Sequence, residues 1–168
     1  MSIDSPTFKN GMRQLTAAVS LITATDAEGV RSGFTATAVA SVSAEPPTLL
    51  VCINRLNGSY EAIRQAGHFA VNVLSTADHN LSHRFAGGVI GSERFLEGQW
   101  DILLSGSPIL QTALVSFDCK VINLIDAGTH TVAIAEVIAI AQHPSASPAL
   151  LYRDGAYCTP CNLPELPE

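Results

Sequence analysis

Apolar and polar residues alternate most cleanly where Val115, Phe117, Cys119 and Val121 interleave with Ser116, Asp118 and Lys120. A period of two predicts a strand with one buried face. A turn at Asp126-Ala127-Gly128 leads into a second long strand over residues 130–142. Its even positions carry Val132, Ile134, Ile138 and Ile140, and its odd ones Ala133, Ala135, Ala139 and Ala141. A face of alanines predicts that something bulky approaches it, either a neighbouring sheet or a partner subunit.

The first half predicts shorter strands over residues 18–25, 31–37, 39–43, 48–54 and 69–74. Asp26 to Gly29 forms a hairpin turn, and Pro46-Pro47 opens the most apolar strand. Asp154-Gly155 marks a last hairpin between residues 150–152 and Tyr157. Helical signals are few. Ser5-Pro6 starts a helix that places Phe8, Met12 and Leu15 on one face. Ser59 caps a helix over 60–66 that Gly67 closes, and Ser75 or Thr76 caps another that runs to Phe85 and ends at Gly87-Gly88. Residues 91–108 read as loop, with a short turn near 93–96 and the only tryptophan, Trp100. Six or seven strands with two or three short helices predict a mainly β, antiparallel barrel.

The chain has 168 residues, enough for one domain with a real core, and 47% of them are hydrophobic. That domain is expected over residues 1–157, with a proline-rich tail over 158–168. No apolar run reaches the roughly 18–20 residues of a membrane helix, and the N-terminal stretch lacks the pattern of an export signal. The expectation is a cytoplasmic protein that does not bind membranes. A net charge of −6, with Lys9 and Lys120 the only lysines, argues against a nucleic-acid surface.

Recognisable catalytic motifs are absent: the chain has no GxGxxG, GxxxxGK[ST] or GxSxG. Cys52 and Cys119 sit in apolar strands and read as core. Cys158-Thr159-Pro160-Cys161 is a CxxC near the end of the chain. A structural zinc needs four ligands, and neither a second CxxC nor a paired histidine follows it. A thioredoxin-like pair needs a βαβ setting that is also missing. His79 and His83 are four apart on a predicted helix and can face one ion. Without a neighbouring Glu or a third ligand they read as a solvated helix face, and no metal site is expected.

Four stretches carry more information. They are residues 33–43, Gly-Phe-Thr-Ala-Thr-Ala-Val-Ala-Ser-Val-Ser, with Pro46-Pro47; residues 50–54, Leu-Val-Cys-Ile-Asn, followed by Ser59; residues 69–74, Phe-Ala-Val-Asn-Val-Leu, with Leu81-Ser82 and Phe85-Ala86; and Gly128-Thr129-His130. In this order and spacing the chain resembles the short-chain flavin reductase family from about Phe8 to Tyr157. The resemblance implies a flavin-binding split β-barrel, an antiparallel Greek key assembled as a homodimer. It implies hydride transfer from NADH or NADPH to FMN or FAD, with reduced flavin passed to a partner monooxygenase. A flavin-binding electron carrier of the same fold, without nicotinamide turnover, is the alternative.

Under that resemblance Thr35, Ala36 and Thr37 form the strand facing the flavin ring, small enough for its backbone to approach. Cys52 and Asn54 end a strand beside the ligand, and Ser59 lies where a helix start favours phosphate. Ser82 and Phe85 border the flavin tail, with Arg55 and Arg84 the nearest cations in sequence. Gly128 and His130 match the family's Gly-Asp-His signature, with Thr129 in place of the acid, and His130 is expected beside the nicotinamide. Tyr152 and Tyr157 match aromatic positions near the site.

Overall fold

The computed structural model describes residues 3–144 and 146–162, so the expected tail lies outside the described residues beyond residue 162. In chain order the elements are α1 (Ser5–Met12), β1 (Ala17–Ala18), β2 (Ser20–Thr25), β3 (Arg31–Ala36), β4 (Val39–Ala44) and β5 (Pro47–Asn54). Then come α2 (Tyr60–Ala66), β6 (His68–Val73), a 3-10 turn (Thr76–Asp78) running into α3 (His79–Ala86), and a 3-10 segment (Gly91–Leu96). The second half comprises β7 (Trp100–Ile102), β8 (Pro108–Leu110), β9 (Val115–Ala127), β10 (His130–Gln142), β11 (Leu151–Arg153) and β12 (Ala156–Cys158).

Seven strands form one antiparallel sheet in the order β3-β2-β6-β9-β10-β5-β4. The sheet curls on itself. Ile22, Phe34, Val51, Ile53, Phe69, Val71, Cys119, Ala133 and Ala135 come from six of its strands and share one buried core, plugged by Ile63 of α2. Register shifts in the β9–β10 ladder, after Ile134 and after Val137, add the local twist that closure requires. Between β3 and β4 the wall is joined by residues 37–38, where Cys52 N–H donates to the Ala38 carbonyl at 3.0 Å. The mainly β, antiparallel barrel expected from the sequence is the architecture found. Ala133 and Ala135 are fully buried inside it, so of the two occupants proposed for the alanine face, the neighbouring wall of the same barrel fills this part.

Some boundaries differ from expectation and others hold, each for a physical reason. Asp4, not Ser5, caps α1: its carboxylate accepts from Thr7 N–H at 2.8 Å, and hydrogen bonding from the Thr7 side chain, then its backbone, holds its pKa below the usual range. The apolar face of α1 does not enter the core, and Phe8, Met12 and Leu15 remain exposed. Gly67, at φ 68°, closes α2 in the left-handed region that glycine occupies without penalty. Ser75 starts the α3 segment through a reciprocal capping box with Asp78. The loop expected over 91–108 contains a 3-10 segment and β7, and ends in the β8 hairpin partner.

The largest departure concerns the polar face of β9. Ser116 and Asp118 are completely buried, because the segment around β8 lies across the outside of β2, β6 and β9. Asn72, also fully buried, joins the layers. Its carboxamide oxygen accepts from Leu110 N–H at 2.8 Å and from Ser116 Oγ at 2.8 Å, while its amide donates to Thr23 Oγ1 at 3.0 Å. Thr23 Oγ1 donates in turn to the Pro108 carbonyl at 2.6 Å, and Asp118 accepts from Ser105 N–H at 2.8 Å. Over this belt sits a second core of Val19, Leu21, Leu74, Leu81, Phe85, Phe95, Leu110, Ala113 and Leu150.

Two outcomes follow from this packing. Asn72→Ala strips partners from several buried groups, each worth about 1–3 kcal/mol when orphaned. The expected loss is roughly 2–4 kcal/mol, read from urea midpoints at one protein concentration. Cys119, pushed up to about 12 by burial, should stay inert to a thiol reagent in the native state, whereas exposed Cys158 and Cys161 react at once. Counting reactive thiols before and after denaturation checks this.

Candidate active site

The end of β3 forms one wall of a cleft whose other walls come from distant parts of the chain. A cavity of about 470 Å³ is bounded by Met12, Leu15 and Ala17, by Thr37 and Ala38, and by Tyr152 on β11. An adjoining cavity of about 230 Å³ shares Thr37 and Tyr152 and adds Thr35, Ala36, Ala86 and Tyr157. The β11–β12 hairpin is held in place by β1, with Ala17 opposite Tyr152 and Ala18 opposite Leu151. Its turn is positioned by Asp154 N–H, which donates to the Arg13 carbonyl at 2.9 Å. Tyr152 and Tyr157 meet edge to face across the hairpin at 5.3 Å.

α3 supports the cleft floor. Thr35 Oγ1 donates to the Ser82 carbonyl at 2.7 Å, and Ser82 Oγ lies 2.7 Å from Tyr157 Oη. Two of the expected ligand-facing hydroxyls, those of Thr35 and Ser82, are therefore spent on holding β3, α3 and β12 together. Thr37 and Ala38 lie outside the regular strands and line the larger cavity, with the Ala38 carbonyl taken by Cys52 N–H. A flat, largely apolar ring edged with acceptors fits such a wall: small side chains, backbone donors and an aromatic on the opposite side.

A second group lies across residues 37–38 from the first. Cys52, Asn54 and His130 share the outward face of the β5–β10 pair, where Asn54 stands opposite His130 and Cys52 opposite Val132. Gly128, at φ 61°, makes the β9–β10 turn. Arg55 braces that turn by donating from its guanidinium to the Gly128 carbonyl and from its backbone N–H to the Thr129 carbonyl at 3.1 Å. Thr129 Oγ1 lies 2.9 Å from His130 Nδ1, leaving Nε2 as the outward nitrogen of the ring. Asn54 Oδ1 accepts from Leu56 N–H at 2.9 Å.

Ser59 and Phe85, like Ser82, are interior. Ser59 is buried and donates its hydroxyl to the Gly33 carbonyl at 3.0 Å, with no side-chain capping bond to α2. Phe85 packs in the second core against Phe95 and Trp100, with ring centroids at 5.0 and 5.7 Å. Gly33 itself admits no side chain, since a Cβ there would stand 2.7 Å from the Ile22 carbonyl oxygen and 3.0 Å from the Phe85 ring. Ser59 and Phe85 thus position the wall that carries Thr35 to Thr37.

The cations expected for a phosphate are engaged elsewhere. Arg84 pairs with Glu97 at 2.8 Å and bonds the carbonyls of Glu93 and Arg94, and Arg55 pairs with Asp126 at 3.5 Å. Around the larger cavity stand Lys9, Arg13 and Arg153, which the sequence reading did not select. In an acidic chain, three cations around one cleft favour a phosphate-bearing ligand there. The signal for Lys9 and Arg13 lay in α1 and its end, where Met12 and Leu15 line the cleft instead of the core.

Comparison with known proteins agrees with this geometry. Residues 12–160 match the family model of the flavin reductase like domain. The chain is 46% identical over 145 residues to FMN reductase (NADH) RutF of Pseudomonas syringae, covering 86% of this chain and 80% of that protein. It is 43% identical over 160 residues to the enzyme of the same name from Acinetobacter baylyi, covering 95% and 84%. Among solved structures, a flavin reductase domain protein from Arthrobacter sp. superposes with a TM-score of 0.87 at 31% identity, covering 96% of this chain and 99% of that one. Nitrilotriacetate monooxygenase component B from Mycobacterium thermoresistibile gives 0.88 at 30% identity, covering 98% and 93%. With a curled antiparallel sheet, a cleft lined by small residues and aromatics, and a match spanning nearly its whole length, the chain belongs to the flavin reductase like family.

Proposed function

We propose that this protein oxidises NADH, reduces FMN and releases the reduced flavin to a partner monooxygenase, and that it works in the cytoplasm as a homodimer. The observation that carries the reading is the 43–46% identity to NADH-dependent FMN reductases across a chain whose cleft suits a flat phosphate-bearing ring. The hydride chemistry belongs to the nicotinamide and flavin rings; the protein binds and aligns them.

In this reading the backbone at Thr37 and Ala38 faces the polar edge of the flavin, Ala36 leaves room for it, and Tyr152 covers the ring. Lys9, Arg13 and Arg153 hold the phosphate. Thr35, Ser82 and Phe85 keep the wall straight. Cys52, Asn54 and Gly128 shape the neighbouring face, where His130 orients the nicotinamide carboxamide by one hydrogen bond. No side chain is asked to transfer a proton; the one carboxylate in the lining, Asp154, stands beside Arg153 at the hairpin turn of the larger cavity, and the smaller cavity is lined without one. Four free thiols suit a reducing compartment. Among the described residues no helix is long and apolar enough to cross a membrane.

A second copy of the chain is supported by the outer face of β9 and β10. Ile122 and Ile125 are 54% and 45% exposed, and Ile125 stands beside Val132, itself beside Cys52. Ile134 and Leu50 continue the patch on the next pair along. An apolar surface of this extent next to His130 and Asn54 suits an interface that also walls the nicotinamide site.

Purified protein is expected to consume NADH only when flavin is added, with FMN preferred over FAD and riboflavin. NADH left untouched with all three would replace the enzyme reading with that of an electron carrier. His130→Ala should raise KM for NADH and lower kcat/KM roughly two- to tenfold, the worth of one neutral hydrogen bond. A parallel fluorescence titration should show FMN affinity nearly unchanged. Light scattering at micromolar concentration should give twice the 17.7 kDa chain mass, and Ile134→Asp should shift it to the monomer.

A further inference from the structure

The fold unites two motifs that lie far apart in sequence, the His79-x3-His83 pair of α3 and the Cys158-x2-Cys161 pair after β12. On the helix the two imidazoles face each other with Nε2 atoms 3.2 Å apart. Two nitrogen ligands at about 2.0–2.1 Å from one tetrahedral zinc stand roughly 3.3–3.4 Å apart, so the pair already has the bite of a chelate. The contact is a hydrogen bond between the two ring nitrogens, and an ion that takes the place of the shared proton meets both of them. Tyr157 fixes both: its ring lies edge to face against His79 at 4.7 Å and against His83 at 5.0 Å. The Tyr157 hydroxyl is itself held 2.7 Å from Ser82 Oγ. A chelating pair oriented by a second layer of packing and hydrogen bonds is the arrangement metal sites use.

Cys158 follows Tyr157 directly and lines the same small cleft as Thr76, His79 and Thr159. Cys158 and Cys161 are both free and exposed. Three residues reach about 10 Å at most, so Cys161 stays within range of any ion that Cys158 binds. Among the described residues no three histidine, cysteine or carboxylate side chains converge on one point. The histidine half is in place, and Cys158 of the cysteine half lines the same cleft as His79.

We infer that His79, His83, Cys158 and Cys161 form a binding site for one zinc-type divalent ion, the histidines preset and the CxxC closing onto them. Two imidazoles and two thiolates in a tetrahedron are a set that selects zinc over magnesium or calcium. Binding displaces the thiol protons and ties the end of β12 to α3, independently of the hydride chemistry.

The test uses the reduced, chelator-stripped full chain titrated with Co²⁺ alone, followed by Zn²⁺. The expected result is one Co²⁺ per chain, with the near-ultraviolet thiolate charge-transfer band and the intense visible bands of tetrahedral cobalt, both removed by Zn²⁺. The variant Cys158→Ser/Cys161→Ser should abolish the thiolate band. His83→Gln should lower Zn²⁺ affinity at least about tenfold, the loss that even a supporting residue produces. Both positions are on the surface, and circular dichroism verifies that each variant is folded. Absence of Co²⁺ binding, binding without a thiolate band, or a band that survives His83→Gln and His79→Gln at full strength would each overturn the site.

Discussion

A single carboxamide links the two halves of this structure. Asn72 projects from near the end of β6 on the outer side of the barrel, where an apolar residue would leave Leu110 N–H and Ser116 Oγ without their acceptor. By accepting from Leu110 N–H and Ser116 Oγ and donating to Thr23 Oγ1, it satisfies both ends of its amide in the absence of solvent. Leu110, fixed this way, enters the second core with Leu81 and Phe85 of α3. Thr112 then reaches Asp78, the residue at the start of that helix. α3 in turn supplies the Ser82 carbonyl to Thr35 and the Ser82 hydroxyl to Tyr157. The cleft thus depends on a polar contact on the far side of β2, passed along through packing.

Most strands were legible because alternation is a local property. Val115 to Val121 and the stretch after His130 announce their period regardless of neighbours, and turn residues such as Asp154-Gly155 supply the punctuation. What sits on top of a strand is not local. Ser116 and Asp118 have the pattern of a solvent face, and only the crossing of residues 105–110 makes them interior. Phe8, Met12 and Leu15 show the converse: an amphipathic helix predicts a buried stripe, but α1 lies at the rim of a cleft.

The site was legible unevenly for the same reason. Thr35, Ala36, Thr37 and Tyr152 do meet around one cavity, and Cys52, Asn54 and His130 share one outward face. Ser59 and Phe85 belong to the layer behind them. Sequence proximity misdirected the search for cations, since Arg55 and Arg84 serve carbonyls and carboxylates while Lys9, Arg13 and Arg153 surround the cavity. The histidine pair and the CxxC each lacked partners along the chain. The packing of Tyr157 on α3 brings the end of β12 to the histidine pair, more than seventy residues away in sequence.

The strand order also governs the sequence of events during synthesis. β3, β2 and β6 can pair as soon as they emerge, and so can β4 with β5, but within the sheet the two groups are hydrogen-bonded together only through β9 and β10. A nascent chain therefore carries two open sheets with unpaired edges until residue 142 has left the ribosome, a long exposure for apolar strands. β1 waits longer still, because its partner β11 is among the last segments made. The cleft wall that bears Tyr152 is thus the final piece to be set, and an unfinished chain has no place to hold a flavin.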